Sequence, residues 1–264
     1  MRNLLAGLFC EDLGMDVEVV ATDLGSLPGG GFEEHTPIFR SSQSLLDAET
    51  KNAHDYLDLS FDDKVAFQVD GVISQNESER LITFTEEMGF REAAPGIQTP
   101  PGMRQNTTVH WMVHPKDAEL LYSRIASFVP DTLEGRDSMG ALSHRFNTYR
   151  YTLGQQFRPH LDGDWPGYHV NPKTQQLEYW KTGRSMLSML LYLNGREEGV
   201  EGGDTLLLDN GAVAQRIKPR CGRALFFRHG IHPKSVLHAG DILGDGTAKY
   251  VIRINVMYQS ETID

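Results

Sequence analysis

Cysteine is scarce. Cys10 and Cys221 are the only two, too few for a disulfide framework, so the fold must rest on its core. A reducing compartment fits, and a cytoplasmic location is expected. No apolar run approaches the roughly 20 residues that a membrane helix needs, so no membrane partner is expected. The apolar residues 4–10 have a single basic residue ahead of them, Arg2, and Glu11 and Asp12 follow at once. With no small-residue cleavage site either, they read as a short helix or an arm rather than a signal peptide. Positive charge is also in deficit. Lys and Arg total 25 against 36 Asp and Glu, a net charge of −11. Such a chain repels phosphate backbones, so no nucleic acid is expected as a partner. Internal repeats and low-complexity tracts are absent.

What is there suits one sizeable domain with or without an extension: 264 residues, 39% of them hydrophobic. Residues 1–60 show no clear period of two or 3.6. Pro28-Gly29-Gly30-Gly31 is a breaker cluster, and scattered acids follow. This segment reads as a weakly patterned N-terminal extension with a short helix near 44–57, or as a lid over an active site. Patterning tightens over 61–264. Residues 61–72 suggest a strand feeding a turn at Asp70-Gly71. Ser74 and Glu77 then form a capping box for a helix whose stripe is Leu81, Ile82, Thr85 and Met88, with Gly89 as its stop. A second helix starts at Pro115, carries Ala118, Leu121, Ile125 and Phe128 on one face, and ends at Pro130. Beyond about Gly140 the signals are strand-like: 148–153, 157–162, 185–193, 205–208, 224–228, 235–238 and 250–258. The expected fold class is α+β, with helical support from 61–140 and a double-sheet jelly roll over 141–264.

Chemistry concentrates in Arg158-Pro159-His160-Leu161-Asp162. On a strand, His160 and Asp162 project to the same side, so an imidazole and a carboxylate can share one ion. A third ligand must come from elsewhere. Of ten histidines, His238 stands out because it ends the apolar run Ser235-Val236-Leu237 and meets Ala239-Gly240 at a strand end. His229 and His232 bracket a loop. Two histidines and one carboxylate suit iron(II) with three positions left open. Zinc is the chemical competitor and would imply a hydrolytic water site. In the last strand, Lys249, Val251, Arg253, Asn255 and Met257 share one face. Charged and amide groups there need partners, so that face meets solvent or lines a polar pocket.

The ordered series of motifs resembles the prolyl 4-hydroxylase-like branch of the 2-oxoglutarate/iron(II) dioxygenases. It runs through Tyr149-Arg150-Tyr151, Gly154-Gln155, Pro159-His160-Leu161-Asp162, Leu190-Leu191-Tyr192-Leu193-Asn194 and Glu201-Gly202-Gly203-Asp204-Thr205. It continues with Pro219, Gly222-Arg223-Ala224-Leu225-Phe226-Phe227, Leu237-His238-Ala239-Gly240, Gly246 and Lys249-Tyr250. Residues 70–90 also resemble the family's first helix. The resemblance implies a double-stranded β-helix fold and a cofactor set of iron(II), 2-oxoglutarate and O2, with ascorbate as reductant. It implies His160, Asp162 and His238 as metal ligands and Lys249 on the distal carboxylate of 2-oxoglutarate, with Tyr151 nearby. The hairpin 241–248 is about one residue longer than the family's, so Arg253 rivals Lys249 for that role. Asn255 on the same face is a further cosubstrate-binding candidate. The implied reaction couples decarboxylation of 2-oxoglutarate to hydroxylation of a C–H bond in an unidentified small-molecule or peptide substrate. Demethylation or desaturation by the same fold, or a non-catalytic metal-binding module, are the other readings. Asp162 argues against halogenation. Substrate access is expected at the Gly202-Gly203 turn and at a loop 164–182, whose Trp165, Tyr168 and Trp180 would stack on substrate or pack the loop.

Overall fold

The computed structural model describes residues 17–50 and 52–260. The reading of residues 4–10 lies outside them. Elements run β1 (Val17–Ser26), β2 (Phe32–Ser41), β3 (Asp55–Asp58), β4 (Ala66–Asp70), α1 (Gln75–Met88), β5 (Ala94–Pro95), β6 (Thr107–Met112), α2 (Pro115–Ile125), β7 (Thr132–Leu133), β8 (Arg136–Leu142) and β9 (Arg145–Tyr151). They continue with β10 (Phe157–His160), β11 (Pro166–Val170), β12 (Leu177–Tyr192), β13 (Thr205–Asp209), β14 (Ala212–Ile217), β15 (Ala224–Arg228), β16 (Leu237–Gly240) and β17 (Lys249–Tyr258). Among the described residues, no helix is long and apolar enough to cross a membrane.

The strands form two layers. The large sheet runs β3-β4-β15-β12-β17-β9-β6-β2-β1-β5, and the small one β10-β16-β13-β14. This is the double-stranded β-helix expected for an α+β chain. Alternation along the central strands divides the core. Phe226, Ile252, Ile254, Met189 and Leu191 face outward to meet α1 and α2, around Phe84, Trp111 and Leu121. Leu190, Leu225, Phe227 and Val251 point the other way, to Leu207, Ile217 and Val236 of the second layer. The helices start as read. Ser74 accepts from the Glu77 amide, and the Glu77 carboxylate accepts the Ser74 amide at 2.7 Å. That same carboxylate pairs with Arg124 of α2 at 2.8 Å, locking the helices together.

The N-terminal expectation is corrected. Residues 17–41 are a hairpin, not a loosely patterned arm, and no helix forms over the described part of 44–57. Strand β2 lies parallel to β6, with Phe39 against Trp111, and β1 pairs β5. Val17, Ile38 and Phe39 are buried. The pattern hid because β1 and β2 slip register at two bulges, which breaks the two-residue period. The expected loop 164–182 is also mostly strand, a hairpin of β11 with the long β12.

Candidate active site

The site lies between the two layers, on the inward face of β9 and β17. Pairing sets Lys249 opposite Tyr151, Val251 opposite Tyr149 and Arg253 opposite Asn147. Across from this row, β10 and β16 bring His160 opposite His238. A cavity of about 400 Å³ results, lined by His160, Asp162, His238, Tyr149, Tyr151, Thr205, Lys249 and Arg253 among others.

His160, Asp162 and His238 each present a ligand atom, all within 4.8 Å of one another. The Nε2 atoms of His160 and His238 stand 3.7 Å from Oδ1 and Oδ2 of Asp162, respectively. Each imidazole uses its other nitrogen on a backbone carbonyl two residues earlier in the chain. Nδ1 of His160 meets the Arg158 carbonyl at 2.8 Å, and Nδ1 of His238 the Val236 carbonyl at 3.2 Å. With those bonds donated, the Nε2 lone pairs face the cavity, the tautomer that a metal ion requires. Phe157 stacks on His160 with ring centroids 3.7 Å apart, and Phe227 lies 4.3 Å from His238. The donor set, tautomers and burial all fit iron(II).

Asp162 is oriented from behind. Its Oδ2 accepts Nε–H of Arg253 at 2.8 Å and the Ser188 hydroxyl at 2.5 Å. Ser188 in turn accepts Nδ1–H of His229 at 2.8 Å, and Nε2 of His229 accepts the Ser185 hydroxyl at 2.9 Å. Burial would raise the Asp162 carboxyl, but Arg253 and then His238 and His160 more than reverse this and hold it far below the ordinary range. Burial, then Arg253, pushes His229 down to about 3, so it stays neutral. Burial and His160 do the same to His238, also to about 3. His229 thus stands at the start of the loop after β15, as read, but is fully buried and hydrogen-bonded to β12. The signal available in the sequence was Ser185 and Ser188, two hydroxyls inside an apolar strand that require a buried partner.

Lys249 and Arg253 separate cleanly. Arg253 is engaged with Asp162 and with the Gly163 carbonyl. Lys249 is 2% exposed, and its ammonium donates only to the Gly203 carbonyl, at 2.6 Å, 4.5 Å from the Tyr151 ring centre. Burial pushes it down to about 8, while Asp204 and then Asp241 pull the other way. Thr205, which accepts the Tyr192 hydroxyl at 2.7 Å, lies in the same cavity. Asn255 is not there. It lines an adjoining cavity with Arg145, Asn147, Trp165 and Tyr168, and Arg253 lies between the two. Sharing a strand face placed Asn255 in line with Lys249, but six positions (255 − 249) at roughly 3.3 Å per residue put it about 20 Å away. At the Gly202-Gly203 turn the backbone comes close to Lys249. Gly203 has φ +65°, and a Cβ there would meet Leu243 Cδ1 at 2.8 Å and Lys249 Cδ at 3.2 Å, so the missing side chain makes room for Lys249. Trp180 packs against Gly167 and His144.

Residues 146–257 match the model of the 2OG-Fe(II) oxygenase superfamily. No curated protein matches the chain. Among solved structures, a Trichoplax adhaerens prolyl hydroxylase in complex with a hypoxia inducible factor peptide fragment is 14% identical. It aligns over 74% of this chain and 83% of its own, with a TM-score of 0.50. The viral collagen prolyl hydroxylase from Paramecium Bursaria Chlorella virus-1, in complex with 2OG, is 18% identical over 74% of this chain and 96% of its own, with a TM-score of 0.49. At 14% identity the likeness to the Trichoplax enzyme is one of fold alone. The family match spans the segment that carries His160, Asp162 and His238, and their donor set is one that suits iron(II).

Proposed function

We propose that the protein hydroxylates a C–H bond of a substrate held beside the triad, releasing succinate and CO2, with ascorbate as reductant. His160, Asp162 and His238 hold the iron. Lys249 binds the distal carboxylate of 2-oxoglutarate, with Tyr151 beside it, and Arg253 serves the proximal end through Asp162. Bound iron(II) would activate dioxygen, which is the oxidant, with 2-oxoglutarate supplying two of its four electrons and the substrate C–H bond the other two. The chain's own tasks are geometric and electrostatic. The carbonyls of Arg158 and Val236 hold both imidazoles in the ligating tautomer. Arg253 and Ser188 keep Asp162 ionised and aimed. Phe157, Leu190 and Val251 dry the cavity walls, which strengthens every charge interaction inside.

One observation carries the reading. A three-ligand cluster and a buried ammonium with no carboxylate partner among the described residues share one cavity. A buried cation is costly unless paired, so this lysine awaits an anion. The experiment is a screen for substrate-stimulated succinate across peptides, free amino acids and small molecules, with iron(II) and ascorbate supplied. Succinate formed equally without iron, or none under any condition, would refute the proposal.

A further inference from the structure

Beyond Arg253 lies a second cavity of about 290 Å³, lined by Arg145, Asn147, Asn255, Trp165 and Tyr168, with Gly96 and Ile97 as its far wall. Its polar groups are unfinished. Asn147 and Asn255 are each 7% exposed, and the Oδ1 of each is sealed from solvent without a hydrogen-bond partner. Arg145 donates to the Pro95 carbonyl at 2.7 Å and lies 3.0 Å from Nδ1 of His110, while its Nε is sealed and unpartnered. Its guanidinium sits 5.2 Å from the Tyr168 ring centre. Among the described residues no carboxylate forms an ion pair with it, and Asp23 acts on it only at longer range. Arg253, by contrast, spends its charge on Asp162.

Buried polar groups in a native fold are almost always satisfied, so three unfinished ones around one cavity describe the ligand that completes them. Arg145 requires an acceptor, best an anion. The two amide oxygens require N–H donors. Trp165 and Tyr168 offer apolar and aromatic faces. The cavity abuts the triad through Arg253 and lies at the opposite end of the β9–β17 row from Lys249, so its ligand neither competes with 2-oxoglutarate nor lies remote from the metal ligands. We propose that this cavity is the substrate subsite and that it takes a free amino acid as its zwitterion, with the carboxylate on Arg145 and the ammonium on Asn147 and Asn255. A residue within a peptide has neither charge. The inference rests on the oxygenase reading above, for which it names the substrate class.

The test is calorimetric titration of the full chain, loaded with manganese(II) and 2-oxoglutarate, using each of the twenty standard L-amino acids. Any that binds is titrated again as its N-acetyl and its carboxamide derivative. At least one free amino acid should bind, and each cap should weaken it about tenfold or more, the usual scale for losing a charge-assisted hydrogen bond. In Arg145→Gln the free acid and the carboxamide should bind alike. In Asn255→Ala, which leaves the cation untouched and tests the other end should Arg145→Gln misfold, the free amine and its acetyl form should converge. No binding by any amino acid, equal binding of capped forms, or preferential binding of a proline-containing peptide would overturn the proposal. The 2-oxoglutarate titration on the same preparation separates the two readings. If it fails, the oxygenase reading falls. If it succeeds while the amino acids fail, only this subsite assignment falls.

Discussion

Lys249→Met keeps the length and volume of the stem while deleting the charge. In the wild type, the ammonium and the distal carboxylate would form a buried pair shielded by the Tyr151 ring and the Gly203 carbonyl. Removing one partner of a buried ion pair costs about 3–5 kcal/mol, which is about two to four orders of magnitude in Kd. Protonation adds a second signature. Burial brings the free lysine down to about 8. The bound dicarboxylate favours the ammonium, so binding takes up a proton wherever the free lysine is neutral. Affinity is therefore flat below pH about 8 and falls toward tenfold per pH unit above it, since one unit corresponds to about 1.36 kcal/mol. The assay is 2-oxoglutarate titration of the manganese-loaded protein across that range. Lys249→Met should bind weakly and lose the alkaline slope. Arg253→Gln should weaken metal binding first, because its Nε holds Asp162. Normal 2-oxoglutarate affinity in Lys249→Met, with loss in metal-replete Arg253→Gln, would refute the argument and make Arg253 the anchor.

Asp162→Ala should fold but lose most metal affinity and all turnover, read as bound iron after dialysis; full activity would remove it from the ligand set. Ser188→Ala leaves Asp162 with one orienting donor and His229 with an unpaired Nδ1–H, so metal affinity should drop by about tenfold, the order expected when an outer partner of a ligand is lost. Gly203→Ala strains a positive φ and crowds Lys249, so 2-oxoglutarate affinity should fall with iron affinity unchanged. Deleting residues 1–41 removes Val17, Ile38 and Phe39 from the core. At about 1.5–3 kcal/mol each, this rivals the total stability of a domain, and thermal melting should show a largely unfolded chain. An unchanged melting temperature would show that the hairpin is dispensable.

The sequence made legible whatever depends on short spacing. His160 and Asp162 stand two apart on a strand, and Ser74 and Glu77 three apart at a helix start. Local geometry alone makes each pair meet. The jelly roll followed from strand signals after about Gly140. What stayed hidden depends on long-range pairing. The hairpin 17–41 has bulges and an exposed polar face, so its role as sheet emerges only when β6 and β5 supply partners. His229 does begin a loop, but its burial is created by β12 and is not legible locally. Asn255 was grouped with Lys249 because a strand's period reports facing and not distance.

The pairing of Lys249 with Tyr151 also bears on how related sequences should be aligned. The loop after His238 can gain or lose residues, provided that every change is absorbed before the final strand begins. A one-residue slip within that strand would exchange Lys249, Arg253 and Asn255 for Tyr250, Ile254 and Val256, turning a charged lining into an oily one and the core into its reverse. Counting forward from the second histidine is thus a poor ruler for this fold. Matching by ladder partner, with the cation set opposite the tyrosine of β9, stays valid across loop lengths.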